Sequence, residues 1–378
     1  MPVSSLAAKR RSARNSYPFQ LALATILAFF AALSWHLYTT QRPSFAASMT
    51  SQNEGKPSTF TYVPPVGGET PGRQQQQHTI ATDSSLHVAI DAQAGADGTL
   101  RGTMPLRLVS YNVRNANPFP VTGEQPWRVR SPKLCTQLRF VTEAHDNAFL
   151  CLQECFYSQV KDIDSRLGPE WAWIGRGRDA RETDGEFSPI YYRPAVWECT
   201  HSETRWLSET PRKPSRGWDA ALNRIVTIGE FTHRARGTKV VVMSTHFDHI
   251  GVKARENSAR LLISIGKEWS GRSELAAVLI GGDFNSTPDD GAYKMMVAEG
   301  SGMSDVSDLV PAERRYGNHL TYTSFGEAGE WPQRIDFLFI QEPRKAAVKS
   351  FGVLANSFDD NVRISDHRPV VADMDIPI

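Results

Sequence analysis

Asp283 and Asn285 stand two residues apart in the stretch Ala277–Pro288, which reads Ala-Val-Leu-Ile-Gly-Gly-Asp-Phe-Asn-Ser-Thr-Pro. In extended backbone, side chains two apart leave on the same side. One offers a carboxylate, the other an amide that both donates and accepts hydrogen bonds. Such a pair can hold a water or a phosphate oxygen beside a hard cation. The apolar run before them has strand length, and a strand emerging into a Gly-rich turn is a rigid mount for polar groups. An Asp/Asn turn after a strand is the plainer use of the same residues, so the stretch gains meaning only in company.

Company is found along the chain. Leu106–Val113 alternates as a strand and ends near Asn112, and Phe149–Gln153 is a strand followed directly by Glu154. Gly185–Arg193 gives a turn and a strand, and Arg224 opens a strand running to Phe231. Lys239–Thr245 delivers His246, Ile335–Ile340 carries Asp336, and Asp366-His367 precedes a last strand, Pro369–Met374. Helical spacing of apolar residues predicts helices over Lys133–His145 and Ala254–Trp269. Strands that repeatedly end in Asn, Glu, His or Asp suggest one shared rim, where scaffolds place functional groups.

The chain has 378 residues, 40% apolar and 22% charged, which is ordinary for a globular core and compatible with one large or two smaller domains. Net charge is +1, so no global basic field argues for nucleic acid, although a local cleft can still be basic. The four cysteines are too few for a disulfide scaffold and form no Cys-x-x-Cys zinc pattern.

Residues 1–18 form a basic tail with Lys9, Arg10, Arg11 and Arg14, and residues 19–38 are apolar over a length that spans a bilayer. The positive-inside rule makes this a signal anchor with the bulk of the chain lumenal or extracellular. A cleaved signal peptide, hence a secreted protein, and a mitochondrial presequence are the other readings. Residues 39–103 are rich in Ser, Thr, Gly, Pro and Gln and read as a disordered linker. The catalytic-looking domain covers 104–378.

The ordered set Ser110-Tyr111-Asn112, Leu152-Gln153-Glu154, Ser244-Thr245-His246, Gly282-Asp283-Phe284-Asn285, Arg334-Ile335-Asp336 and Ser365-Asp366-His367 resembles the endonuclease/exonuclease/phosphatase superfamily, of deoxyribonuclease-I-like fold. The resemblance covers about Leu106–Met374. Gly282–Tyr293 looks most like the nocturnin and carbon-catabolite-repressor deadenylase branch, and also like uncharacterised microbial relatives. It implies an α+β fold in four layers, α/β/β/α: two packed mixed β-sheets flanked by helices.

The resemblance also implies a metal-dependent hydrolase. Phosphodiester cleavage needs a cation to polarise the phosphate, and oxygen-rich ligands suit Mg²⁺ or Mn²⁺. Glu154 is the expected first metal ligand with Asn112 nearby, and Asp366 is a second ligand or a partner of the first. Asp283 would orient or deprotonate the attacking water, and Asn285 would hold that water or the phosphate. His246 and His367 would contact phosphate oxygens or move protons. Asp336 would orient one of the two histidines. Arg224 is either a phosphate grip or a surface arginine. Tyr111, Trp127, Tyr191 and Trp218 are core residues before they are base-stacking platforms. A zinc site at His246–His249 is disfavoured by the surrounding carboxylates.

The expected function is a phosphodiester hydrolase, a 3′–5′ exonuclease on RNA or single strands, acting as a monomer. The alternative is a phosphatase or phosphodiesterase on phospholipid headgroups or small phosphorylated metabolites. A third possibility, a binding module that lost activity, conflicts with the intact motif set. One sequon, Asn285-Ser286-Thr287, falls on a proposed catalytic residue and weighs against a lumenal domain and for a cytosol-facing one.

Overall fold

A computed structural model describes residues 102–272, 274–341 and 346–378. The expected tail, anchor and most of the linker lie outside these residues. Among the described residues, no helix is long and apolar enough to cross a membrane.

In chain order the main elements are β1 (Thr103–Asn112), α1 (Trp127–Thr142), β2 (Ala148–Gln153), α2 (Tyr157–Leu167), β3 (Ala172–Ile174), β4 (Ile190–Tyr192), β5 (Trp197–Trp206), β6 (Ile225–His233), β7 (Lys239–His246), α3 (Val252–Ser270), β8 (Leu275–Asp283), α4 (Gly291–Met296), β9 (Met303–Asp305), β10 (Arg315–Gly317), β11 (Asp336–Gln341), β12 (Ala347–Val353) and β13 (Val370–Pro377). They form two sheets, ordered β10-β12-β13-β1-β2-β4-β3 and β5-β6-β7-β8-β11-β9. Both are mixed: β1 runs parallel to β2 but antiparallel to β13, and β7 runs parallel to β8, which is antiparallel to β11.

Alternation sorts each strand between two cores. Leu106, Leu108, Phe149, Cys151, Val240, Val242, Leu279 and Leu338 pack between the sheets. Their neighbours Val109, Tyr111 and Leu150 face outward onto Leu134, Leu138, Val160 and Ile163 of α1 and α2. On the other side, Val241, Met243, Val278 and Ile280 meet Leu262, Ile265 and Trp269 of α3. The result is the expected α/β/β/α order.

The inward parity continues past the apolar residues to the rim. Asn112 shares the parity of Leu106 and Leu108, His246 that of Val240 and Val242, Asp283 that of Leu279, and Asp336 that of Leu338. The inner face of each strand is thus core at one end and polar at the other.

Several expected boundaries differ. Helix α1 begins at Trp127 and carries Pro132 inside it. Proline prefers the first helical turn, which is why the sequence suggested a start at Lys133. Gly185–Arg193 is regular only over β4, and Phe187 instead makes isolated bridges to Cys155 and Gly177. Strand β5 gives little apolar signal because it is an edge strand, mostly exposed along its middle.

Gly281 marks where the sheets come closest near the rim. A Cβ there would lie 2.9 Å from Cys151 Cβ and 3.2 Å from Ser110 Cβ, both on the opposing sheet. Gly281→Ala is expected to lower stability by about 1–3 kcal/mol through overpacking, read as a lower denaturation midpoint. An unchanged midpoint would show that the sheets separate there freely.

Candidate active site

The rim gathers residues from both sheets. The Asn112 amide donates to Glu154 Oε1 at 3.0 Å and to Asp283 Oδ2 at 2.9 Å, so one side chain joins the end of β1 to β2 and β8. His367 Nδ1 lies 2.8 Å from Asp336 Oδ2, and its Nε2 lies 3.7 Å from Asp283 Oδ2. The histidine served by Asp336 is therefore His367. The Asn285 amide donates to the Phe247 carbonyl at 3.1 Å and sits 3.0 Å from His246 Nε2.

Glu154 and Asn285 reach the site by left-handed backbone, with φ of 61° and 45°. Glu154 has the parity of Leu150 and Leu152, which face the helices. The positive φ turns its side chain back toward Asn112. Asn285 lies beyond the end of β8, and its N–H donates to Asp283 Oδ1 at 2.9 Å. The extended backbone expected through Asn285 is thus replaced by an Asx turn. The turn and the functional pair are the same object.

Electrostatics follow from burial. Asp283 is pushed up to about 7 by burial and by Asp336. Burial also raises Asp366. Burial opposes charge on Glu154 too, but Arg114 and the Asn112 amide hold it below the ordinary range. His367 is raised to about 10, because Asp336 and Asp283 outweigh its burial. His246 is driven well below the usual histidine value by burial, then by Arg224 and Arg178. The two histidines therefore sit in opposite charge states.

Glu154, Asp283 and His367 offer ligand atoms within 4.8 Å of one another. His367 is already engaged by Asp336 at Nδ1, and the carboxylates are the harder donors. A carboxylate-rich, buried donor set fits a hard divalent cation, whose charge would offset the burial and the repulsion that raise Asp283 and Asp366. The Arg114 guanidinium lies 3.8–3.9 Å from Asp366, Glu154 and Glu124.

All nine expected site residues except Asn112 and Asp336 line one cleft of about 610 Å³, and those two support it from behind. Arg224 is buried, not a surface residue. Its Nη2 lies 2.9 Å from His249 Nδ1, its Nε lies 3.4 Å from Asp248 Oδ2, and its Nη1 lies 3.9 Å from Glu186 Oε2. Sequence reasoning missed Arg114, Glu186, Arg255 and Tyr322, which also line the cleft with His249, until now weighed only as part of a zinc cluster. None of the four falls at a strand end or within the motif set. Tyr111 and Tyr191 are fully buried, and neither Trp127 nor Trp218 lines the cleft.

Asp248, from the cluster weighed as a zinc site, proves to be an organiser. It accepts from the N–H groups of Ala221, Leu222, Ile250 and Gly251 at 2.8–3.3 Å, tying together two loops that bear Leu222 and His249. Those donors and Arg224 overcome its burial and pull its carboxyl down to about 2.

Residues 109–367 match the model of the Endonuclease/Exonuclease/phosphatase family. The chain belongs to this family. An endonuclease/exonuclease/phosphatase family protein of Bacteroides thetaiotaomicron is 33% identical, with a TM-score of 0.64, covering 72% of this chain and 98% of its own. Another solved structure from that organism, described as a mannosyl-6-phosphatase, is also 33% identical, with a TM-score of 0.64 over 71% of this chain and 99% of its own. The human nocturnin catalytic domain is 17% identical, with a TM-score of 0.53 over 73% of this chain and 97% of its own, a likeness of fold. Both kinds of relative expected from the motifs are thus present. A search of curated proteins gives no match. As a member of this family the protein is a hydrolase of phosphoester bonds that depends on a divalent metal.

Asp248→Asn is expected to cost about 2 kcal/mol at pH 7. A folded carboxyl near 2 lies below the unfolded value of roughly 3.9, so its contribution is complete above that value and fades as pH falls through the folded one. Wild-type and variant midpoints should converge in acid. A constant gap from pH 7 to 3 would assign the effect to packing.

Proposed function

We propose that the protein is a phosphomonoesterase acting on a small, hydroxylated phosphate ester of the sugar phosphate class. The observation that carries this reading is the mixed charge of the cleft wall, where Glu186, Asp290 and Glu330 stand among Arg114, Arg224 and Arg255. A track for polynucleotide wants cations along the backbone and aromatic faces for bases. The aromatic residue in this cleft is Tyr322, which is set edge-on to His367 at 5.1 Å with its hydroxyl 3.3 Å from Glu330. Carboxylates and amides at the mouth suit sugar hydroxyls, and the volume suits a single sugar phosphate. The relative described as a mannosyl-6-phosphatase, at 33% identity, supports the same class.

Glu154, Asn112 and Asp366 would hold Mg²⁺ or Mn²⁺, which supplies charge that polarises the phosphate as the ester breaks. Asp283 takes the proton of the attacking water, and Asn285 orients that water. His367, kept upright by Asp336, donates to a phosphate oxygen. Neutral His246 is held by Asn285 and lends shape more than charge. Arg224 Nη1, which lies 3.9 Å from Glu186 Oε2, would take a second phosphate oxygen. We propose that residues 19–38 act as a signal anchor with the domain lumenal. In the folded protein the Asn285 amide is already engaged at His246 and Phe247.

Full-length protein with Mg²⁺ or Mn²⁺ should release inorganic phosphate from mannose 6-phosphate. Chelation and Asp283→Ala should each abolish release. Shortening of end-labelled RNA without phosphate release would overturn the reading in favour of a nuclease. Asp336→Asn should lower kcat by roughly 10²–10⁴-fold with little change in KM, because it frees His367 without touching substrate. An equal rise in KM would instead place Asp336 in binding.

A further inference from the structure

A second pocket of about 420 Å³ opens beside the catalytic cleft, where β3 at the edge of one sheet faces β5 and β6 of the other. We infer that it binds an uncharged, hydroxylated ring: a non-phosphorylated residue of a phosphorylated oligosaccharide whose phosphate lies in the cleft. This rests on the sugar phosphate reading above.

The pocket has an aromatic floor. Tyr157 and Phe187 stack with centroids 5.9 Å apart and planes at 26°, and Trp173 meets Phe187 edge-on at 75°. Tyr157 is 40% exposed, so its ring is available to a ligand. Around this floor stand polar groups, among them Glu182 and Thr204. At its base the buried Thr227 hydroxyl has no hydrogen-bond partner. A modest cavity with an aromatic face and a few fixed polar groups is the usual form of a small-ligand site.

Charge narrows the ligand. Arg176 is the cation in the lining, and its guanidinium is occupied by the carbonyls of Gly177, Asp179 and Ala180 while lying over Trp206. Glu203 is paired with Arg205. The lining sets two carboxylates, Glu182 and Glu203, against the Arg176 guanidinium, which disfavours a second phosphate or a nucleotide backbone. A sugar ring offers what remains: an apolar C–H face for the aromatic rings and hydroxyls for Glu182 and the threonines.

Placement links pocket and cleft. Glu186 lines the cleft and Phe187, the next residue, lines the pocket. A single turn of chain separates them, closed by Gly177 N–H to the Glu182 carbonyl at 2.7 Å and Arg178 N–H to the Glu186 carbonyl at 3.1 Å. A saccharide a few residues long can cross it.

The test uses full-length protein, with unphosphorylated mannotriose as the binding probe. Saturation-transfer NMR should detect mannotriose on the wild type and lose it in Trp173→Ala and in Thr204→Arg, the latter on an edge strand where folding is spared. With phosphate release as readout, mannotriose carrying a terminal 6-phosphate should exceed mannose 6-phosphate in kcat/KM by at least about tenfold. Both variants should erase that advantage and leave the monosaccharide rate unchanged. Mannotriose bound equally by wild type and folded variants, or by none of them, overturns the inference, as does a single-stranded oligonucleotide that displaces it from the pocket. Equal turnover of both phosphates also overturns it while leaving the sugar phosphate reading intact. Variant-sensitive mannotriose binding without any sugar phosphate turnover upholds the pocket and sinks that reading.

Discussion

Too many carboxylates occupy one buried place. Glu154, Asp283, Asp336 and Asp366 crowd the rim, each nine-tenths or more out of water. Buried like charges repel strongly in a medium of low polarisability. The arrangement persists because other groups are set between them: the Asn112 amide between Glu154 and Asp283, His367 between Asp283 and Asp336, and Arg114 between Glu154 and Asp366. These partners come from distant parts of the chain and from both sheets. The sandwich must therefore close correctly before the charges are tolerable. Residual repulsion is what gives the place its affinity for a cation.

The backbone around this cluster is held under strain. Arg114, Glu154 and Asn285 all adopt positive φ, which costs on the order of 1–3 kcal/mol each for residues with a side chain. Arg130 helps to hold the first of these. Its guanidinium is fully buried and donates to the carbonyls of Val113, Arg114, Asn115, Gln125 and Ile364 at 2.9–3.2 Å. One side chain thereby fixes the segment after β1 against the segment before β13, which bears Asp366 and His367. Strain at the rim and rigidity behind it are two sides of one design.

Most of this was legible where the signal was periodic. Strands bearing a polar residue at one end located Asn112, His246, Asp283 and Asp336, because position along a strand is a property of sequence. Glu154 was found although its parity is wrong, since it follows its strand directly. Arg114, Glu186 and Arg255 were not legible, because they reach the cleft from loops and a helix turn that only the tertiary fold brings near. Arg130 and Asp248 escaped for a different reason. A buried ion is recognised by the backbone groups it satisfies, and those partners are far away in sequence. Edge strand β5 and helix α2 also went unread, one for want of apolar residues and the other for its shortness.

The inward parity of the strands has a consequence for how this enzyme can change. A shift of one residue exchanges the two faces of a strand, so a single inserted or deleted residue in β7 or β8 would aim Thr245 or Phe284 where His246 or Asp283 now stands. Pairing between these strands runs unbroken from Val240 opposite Ala277 to His246 opposite Asp283, and its irregularity falls at Lys239. The irregularity between β5 and β6 falls at Cys199 and His201, also away from the rim. A change of length at the far end of the sandwich or in the loops leaves the parity of the rim intact. The strands behave as fixed rulers for the residues at their marks.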